Sequence, residues 1–308
     1  MHLLSLRTVL VATDLHAGSV PALETGSRLA SAASASLHVG HVVNEAANDV
    51  DEARIMSASD LGSAVNVLLA RGDHGTLDAQ FHVLSRATAA AAILSLANRI
   101  AADVVVLGPH RERQGGAGNR VLGSTALELV IESGVPCLVT KKLLRIPVGQ
   151  IVVLTDLSQT ARGALLVALS WASALRSRGD DVHNGAETLL TLLHVRTSAA
   201  RTAVTSTAAL LESELERIRE SAGRWAAVAI DSELVQAENV ARAIAQFAEE
   251  RRADLVVAGT RGLASDSVER LGSVSSELLR VLTVPLLLVP PAVWAAHAPT
   301  TQMSGESA

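Results

Sequence analysis

The chain repeats itself, and that repeat limits its fold more than any other feature. Residues 9–15 read Val-Leu-Val-Ala-Thr-Asp-Leu, and residues 151–157 read Ile-Val-Val-Leu-Thr-Asp-Leu. Ala102-Asp103 with the apolar run to Gly108 matches Ala253-Asp254 with the run to Gly259. Downstream, Gly123-Ser124, Glu128-Leu129, Val135-Pro136 and Leu138 recur as Gly272-Ser273, Glu277-Leu278, Val284-Pro285 and Leu287. Order and approximate spacing hold throughout, so the chain is a duplicated domain. Its 308 residues leave room for two cores of ordinary size.

Each copy alternates β-branched apolar runs with helical stretches. In the first, strands are expected at 8–12, 37–43, 77–84, 104–107 and 136–140, with helices at 20–33, 51–69, 89–100 and 125–132. In the second, strands are expected at 151–154, 188–195, 226–234, 255–258 and 285–289, with helices at 161–176, 203–222, 240–250 and 274–282. Such alternation predicts an α/β fold: two tandem doubly wound domains, each an open five-stranded parallel sheet with helices on both faces. The domains are expected at 1–145 and 146–290. Residues 291–308, rich in Pro, Ala, Ser and Thr, are expected to be a disordered tail. The short junction at 145–150 implies packed copies. The final strands, at sheet edges, invite pairing into an intrachain pseudo-dimer, and a further homodimer is compatible with that.

Hydrophobic residues make up 49 % of the chain and charged residues 19 %, which fits a globular protein and not a disordered one. Aromatics are only 2 % and Tyr is absent, so stacking platforms for single-stranded nucleic acid are scarce. A net charge of −5 also argues against a polyanion binder, and no nucleic-acid partner is expected. The single Cys137 excludes an intrachain disulfide and suits a reducing cytoplasm. No apolar run approaches the ~20 residues that span a bilayer, and the start of the chain lacks a signal-like stretch. A cytoplasmic protein with no membrane partner is the expectation.

The chemistry is concentrated in the glycines. In the second copy an apolar strand runs into Gly259-x2-Gly262-x9-Gly272-Ser273 and then a helix. Bare amides beside a helix N-terminus suit phosphate oxygens. Asp156 and Gly259 end the first and fourth strands, between which an open parallel sheet binds its ligands. The first copy departs from this pattern. Arg111 stands where the second glycine should be, Pro109 removes an amide, and Gly108 lies fifteen residues from Gly123 against thirteen from Gly259 to Gly272. Its loop at 113–120 is nonetheless glycine-rich and basic.

With these motifs the chain resembles a tandem universal stress protein over roughly 6–142 and 149–290. In ATP-binding members of that family an acidic residue after the first strand lies beside adenosine, and the end of the second strand reads adenine. The resemblance therefore implies ATP, with Mg²⁺ accompanying its phosphates. It places Asp156 near adenosine, Val195 at adenine, Gly259 and Gly262 along ribose and phosphates, and Gly272, Ser273 and Ser275 at phosphate. Asp14, Gly108, Gly123 and Ser124 are the weaker first-copy counterparts. A regulatory or stress-response role follows from the resemblance. The alternative is a signalling or scaffold module that binds no nucleotide.

Plainer readings stand beside these. Asp14 and Asp156 can simply close a turn, and Ser273 can act as a helix cap. His38 and His41 point to opposite faces of a strand, so they do not chelate one ion; His41 and His194 occupy equivalent places as hydrogen-bonded strand residues. Residues 212–220 read as a solvated helix face with Glu214–Arg217 and Glu216–Arg219 pairs, and Leu215 and Ile218 marking the buried side. Cys137 reads as an inert core residue. No catalytic set is present, neither a Walker lysine nor a carboxylate pair, so no enzymatic activity is expected.

Overall fold

The computed structural model describes residues 5–43, 57–70, 78–85, 88–109, 123–175, 188–197, 204–221, 228–262 and 271–297. The first half runs β1 (Thr8–Ala12), α1 (Val20–Ala33), β2 (Ser36–Val42), α2 (Ala58–Ala70), β3 (Gln80–Leu84), α3 (Ala89–Arg99), β4 (Val104–Leu107), α4 (Ser124–Glu132) and β5 (Cys137–Val139). The second runs β6 (Gln150–Leu154), α5 (Gln159–Ala174), β7 (Thr188–Arg196), α6 (Val204–Ser221), β8 (Val228–Gln236), α7 (Val240–Glu250), β9 (Leu255–Gly259), α8 (Ser273–Val281) and β10 (Leu286–Val289). A last helix, α9 (Pro291–His297), follows.

All ten strands join one sheet in the order β3-β2-β1-β4-β5-β10-β9-β6-β7-β8. Every pairing is parallel except β5 with β10, where Leu138 faces Leu287 across an antiparallel seam. The two final strands thus cover each other's edges, and two five-stranded sheets become one. Alternate strand residues feed opposite faces. Val9, Val11, Val104 and Val106 enter the core under α1, α2, α5 and α6, while Leu10, Val105 and Leu107 enter the core under α3, α4, α7 and α8. Strands buried on both faces explain why the sequence shows continuous apolar runs and not alternation.

The repeated Ala-Asp pairs have a structural explanation. One Asp103 oxygen accepts the Arg7 and Thr8 amides at 2.7 and 2.8 Å, and one Asp254 oxygen accepts the Gly149 and Gln150 amides at 2.9 and 3.0 Å. Each carboxylate caps the start of the neighbouring first strand, at the sheet end away from the glycine motifs. The junction between halves is braced as well. Lys141 Nζ donates to the Arg280 carbonyl at 2.9 Å, the Leu144 amide donates to Thr25 Oγ1 at 3.2 Å, and Leu144 and Val148 are buried.

Two sequence expectations need correction. The tail expected from 291 begins as helix α9, which packs on α5 with Val293 buried and the Trp294 backbone over Gly163. Pro at its first position fits a helix start, which the Pro-rich composition masked. Residues 298–308 lie outside the described residues. Glu214 is not on a solvated face: it is buried between α5 and α6, pairs with Arg162 at 3.1 and 3.3 Å and also with Arg217. Leu215 is buried as expected, whereas the Ile218 and Arg219 side chains lie outside what is described. Among the described residues no helix is long and apolar enough to cross a membrane.

Candidate functional site

Strand order places both candidate sites. β1 lies beside β4 and β6 beside β9, each pair parallel, so strand order switches to the opposite side between these neighbours and a crevice opens at their C-terminal ends. The rim of each crevice is built the same way. Thr13 and Thr155 donate their amides to Gly40 and Leu193 carbonyls at 3.0 Å, extending the parallel ladder by one residue. Leu15 and Leu157 then turn with φ of 60° and 67°. A left-handed leucine is strained by roughly 1–3 kcal/mol. The turn is held from both sides: each Leu amide donates to the preceding Thr Oγ1 at 3.0 Å, and each Asp Oδ1 accepts the amide two residues on at 3.0 Å. Asp14 and Asp156 therefore do close a turn, while the carboxylate stays at the crevice rim.

Two histidines floor the rims. His41 Nδ1 lies 2.9 Å from the Thr13 carbonyl and His194 Nδ1 lies 2.7 Å from the Thr155 carbonyl. A carbonyl only accepts, so each Nδ1 carries the proton. Their equivalence agrees with the sequence reading. His38 instead stacks on His82, with ring centroids 5.2 Å apart and His38 Nδ1 3.0 Å from His82 Nε2. No group of three metal-ligating side chains occurs among the described residues.

In the second half the glycines divide into distinct roles. A Cβ on Gly262 would collide with Asp156 Oδ2, so Gly262 is what lets the loop backbone lie against that carboxylate. A Cβ on Gly259 would stand 2.7 Å from Thr160 Cγ2, so Gly259 serves the close approach of α5 to the end of β9. Gly272 caps α8 with no side-chain bond to the helix, and its own amide donates to the Thr260 carbonyl at 2.9 Å. Ser273 begins the helix and is exposed, and no acidic residue occupies the first turn. That combination leaves an electropositive helix end open to an anion. Ser275 is buried and its hydroxyl donates to the Gly259 carbonyl at 2.8 Å, so it latches α8 to β9 instead of facing the crevice. Val195 lies on β7, the neighbour of β6, half-buried near its end.

The first-half residues meet around a cavity of about 210 Å³. Asp14, Gly108, Gly123 and Ser124 all line it, together with His41 and Thr125, which the motif reading did not select. Asp14 Oδ1 here also accepts from Ser19 Oγ at 2.5 Å, a bond for which the second half has Ala161 at the corresponding position. Gly108 approaches the α1 entry closely, since a Cβ would sit 3.0 Å from the Gly18 carbonyl. Gly123 caps α4 without a side-chain bond, as Gly272 does for α8. The Ser275 position is taken by Ala126, which has no hydroxyl to span to Gly108. The loops 110–122 and 263–270, including Arg111 and the basic run at 113–120, lie outside the described residues.

A model described as the universal stress protein family matches residues 5–141 and 147–290. No curated protein matches the chain in sequence. Among solved structures, a universal stress protein from Archaeoglobus fulgidus shares 18 % identity with a TM-score of 0.65, covering 94 % of this chain and 100 % of its own. A protein described as a universal stress protein from Pseudomonas aeruginosa UCBPP-PA14 shares 14 % identity with a TM-score of 0.59, covering 95 % of this chain and 96 % of its own. A functionally unknown protein from Pseudomonas aeruginosa PAO1 shares 14 % identity with a TM-score of 0.58, at 95 % of each chain. At these identities the structural likeness concerns the fold.

Proposed function

Because the chain belongs to the universal stress protein family, we propose that it is a nucleotide-binding regulatory protein of the stress response, with ATP held by the second half. The observation carrying this reading is the arrangement at the end of β9. The loop backbone at Gly262 lies against the Asp156 carboxylate, and the uncapped N-terminus of α8 follows at Gly272-Ser273. A carboxylate accepts from ribose or adenine donors, whereas helix amides donate to phosphate oxygens. The two ends of a nucleotide thus meet opposite chemistries. Gly259 and Ser275 act behind this surface, fixing strand, helix and loop relative to one another.

The role is binding and not turnover. Asp156 accepts the Ser158 amide as part of a turn, a positioning role that suits a ligand contact. Mg²⁺ would ride on the phosphates. Signalling follows if loop order and exposed surface depend on which adenylate is bound.

Isothermal titration with ATP tests the reading. Gly262→Asp places a second carboxylate against Asp156 and removes the backbone approach. Ser273→Asp puts a negative charge where phosphate should lie, at a helix end that tolerates Asp well. Both should weaken ATP at least about tenfold, the effect of one lost charge-assisted hydrogen bond or more. Thr125→Asp, a like change in the first turn of α4, should leave ATP binding in place. Unaltered ATP affinity in both second-half variants would overturn the assignment.

A further inference from the structure

We propose that the first-half crevice is a binding site in its own right, for a compact hydroxylated oxyanion held between His41 and the N-terminus of α4. One residue difference from the second half stands at its edge. In the second half the Ser275 hydroxyl ties the first turn of α8 to the Gly259 carbonyl at 2.8 Å. Ala126 makes no such tie to Gly108, and the first turn of α4 instead lines a cavity of about 210 Å³. Pockets for drug-sized ligands span roughly 300–1,000 Å³, so this one suits a smaller molecule.

The two ends of the cavity ask for different groups. At one end α4 presents Ser124, Thr125 and Ala126 to the cavity, behind a glycine cap and with no acidic residue in the first turn. This end suits an oxyanion. At the other end stands His41, which is 2 % exposed and lines the same cavity. Its Nδ1–H is committed to the Thr13 carbonyl, so in the neutral ring Nε2 is a lone-pair acceptor, and Nε2 has no hydrogen-bond partner among the described residues. A buried acceptor without a partner is unfavourable, and a ligand hydroxyl would satisfy it. Asp14 follows the Thr13 whose carbonyl His41 holds and lines the same cavity, so its carboxylate would turn an anion toward α4. A phosphate ester and a carboxylate of a small polyol share this chemistry.

Titration calorimetry on the full chain distinguishes them with glycerol 3-phosphate and glycerate, inorganic phosphate serving as the anion alone. At least one of the two hydroxylated probes should bind, and more tightly than inorganic phosphate. Thr125 is exposed, and Asp there complements the helix dipole, so Thr125→Asp should fold normally yet weaken the probe at least about tenfold. His41→Phe should lose a similar factor and erase the preference over inorganic phosphate. Ser273→Asp, which removes the second-half site, should change nothing, so failure here and failure of the ATP assignment are separable. The proposal falls if neither probe binds up to roughly 10 mM, if inorganic phosphate binds as well, or if Ser273→Asp alone abolishes binding. Should His41→Phe not fold, Thr125→Asp and the comparison with inorganic phosphate still decide.

Discussion

Position 262 shows how far single residues could be read. A glycine after a strand suggests a turn or a ligand, and the structure supplies a third reason, the Asp156 carboxylate lying where a Cβ would go. Ser275 shows the opposite case. It stands in the first turn of a helix after a phosphate-like motif, yet its hydroxyl points back to the Gly259 carbonyl. Sequence spacing fixes which turn a side chain occupies, not which of two nearby acceptors it meets. The His38–His82 stack was likewise invisible, because it depends on β2 pairing with β3. Burial holds both imidazoles below their usual pKa of 6.5, and His82 is lowered further by His38 and Arg99. The unfolded chain therefore takes up protons before the folded one as pH falls. Stability is full above 6.5 and declines as pH drops through that value toward the lowered folded pKa values. Melting temperature measured between pH 7.5 and 5 should fall, and His82→Phe should flatten the slope; an unchanged slope would place the acid sensitivity elsewhere.

At the scale of elements, strong periodicity was enough. α1 and α7 occupy 20–33 and 240–250 as expected, and β4 occupies 104–107, because each is bounded by turn residues on both sides. What composition hid was how elements pack. α5 is buried almost all round, with β6 and β9 beneath it and α6 and α9 beside it, so Glu214 on α6 becomes an interior residue. Arg162 joins that carboxylate to α5, and Arg217 pairs with it from one turn further along α6. Removing it takes a carboxylate partner from Arg162 and Arg217, but both are partly solvated, at 33 % and 56 % side-chain exposure. The loss should therefore stay below the 3–5 kcal/mol of a fully buried broken pair. Glu214→Gln should cost about 1–2 kcal/mol in urea unfolding. Arg217→Ala, which removes only the more exposed partner, should cost under about 1 kcal/mol. Equal losses would mean that the pairing with Arg162 carries no special weight. Cys137, by contrast, behaves as its apolar strand suggested: burial pushes its thiol up to about 12.

For the whole molecule, the duplication was plain in the sequence, whereas the seam that unites it was only an expectation from two apolar edge strands. That seam decides how the protein unfolds. Leu138 and Leu287 face each other across β5 and β10, both fully buried, and both belong to the core that also holds α1 and α5. On the other face Cys137, Val139, Leu286 and Leu288 join the core beneath α4 and α8. With both cores continuous across the seam, neither half can open without exposing the inner face of the other. Leu287→Ala should cost about 2–5 kcal/mol, the range for truncating a buried leucine. More tellingly, it should lower the stability of both halves together. The chain's tryptophans, at 171, 225 and 294, all lie in the second half, so their fluorescence reports that half while far-UV circular dichroism reports the whole. Coincident denaturant midpoints for the two signals, in wild type and in Leu287→Ala, are expected for one cooperative unit. A fluorescence transition that shifts while part of the dichroism change stays behind would show two domains that merely touch.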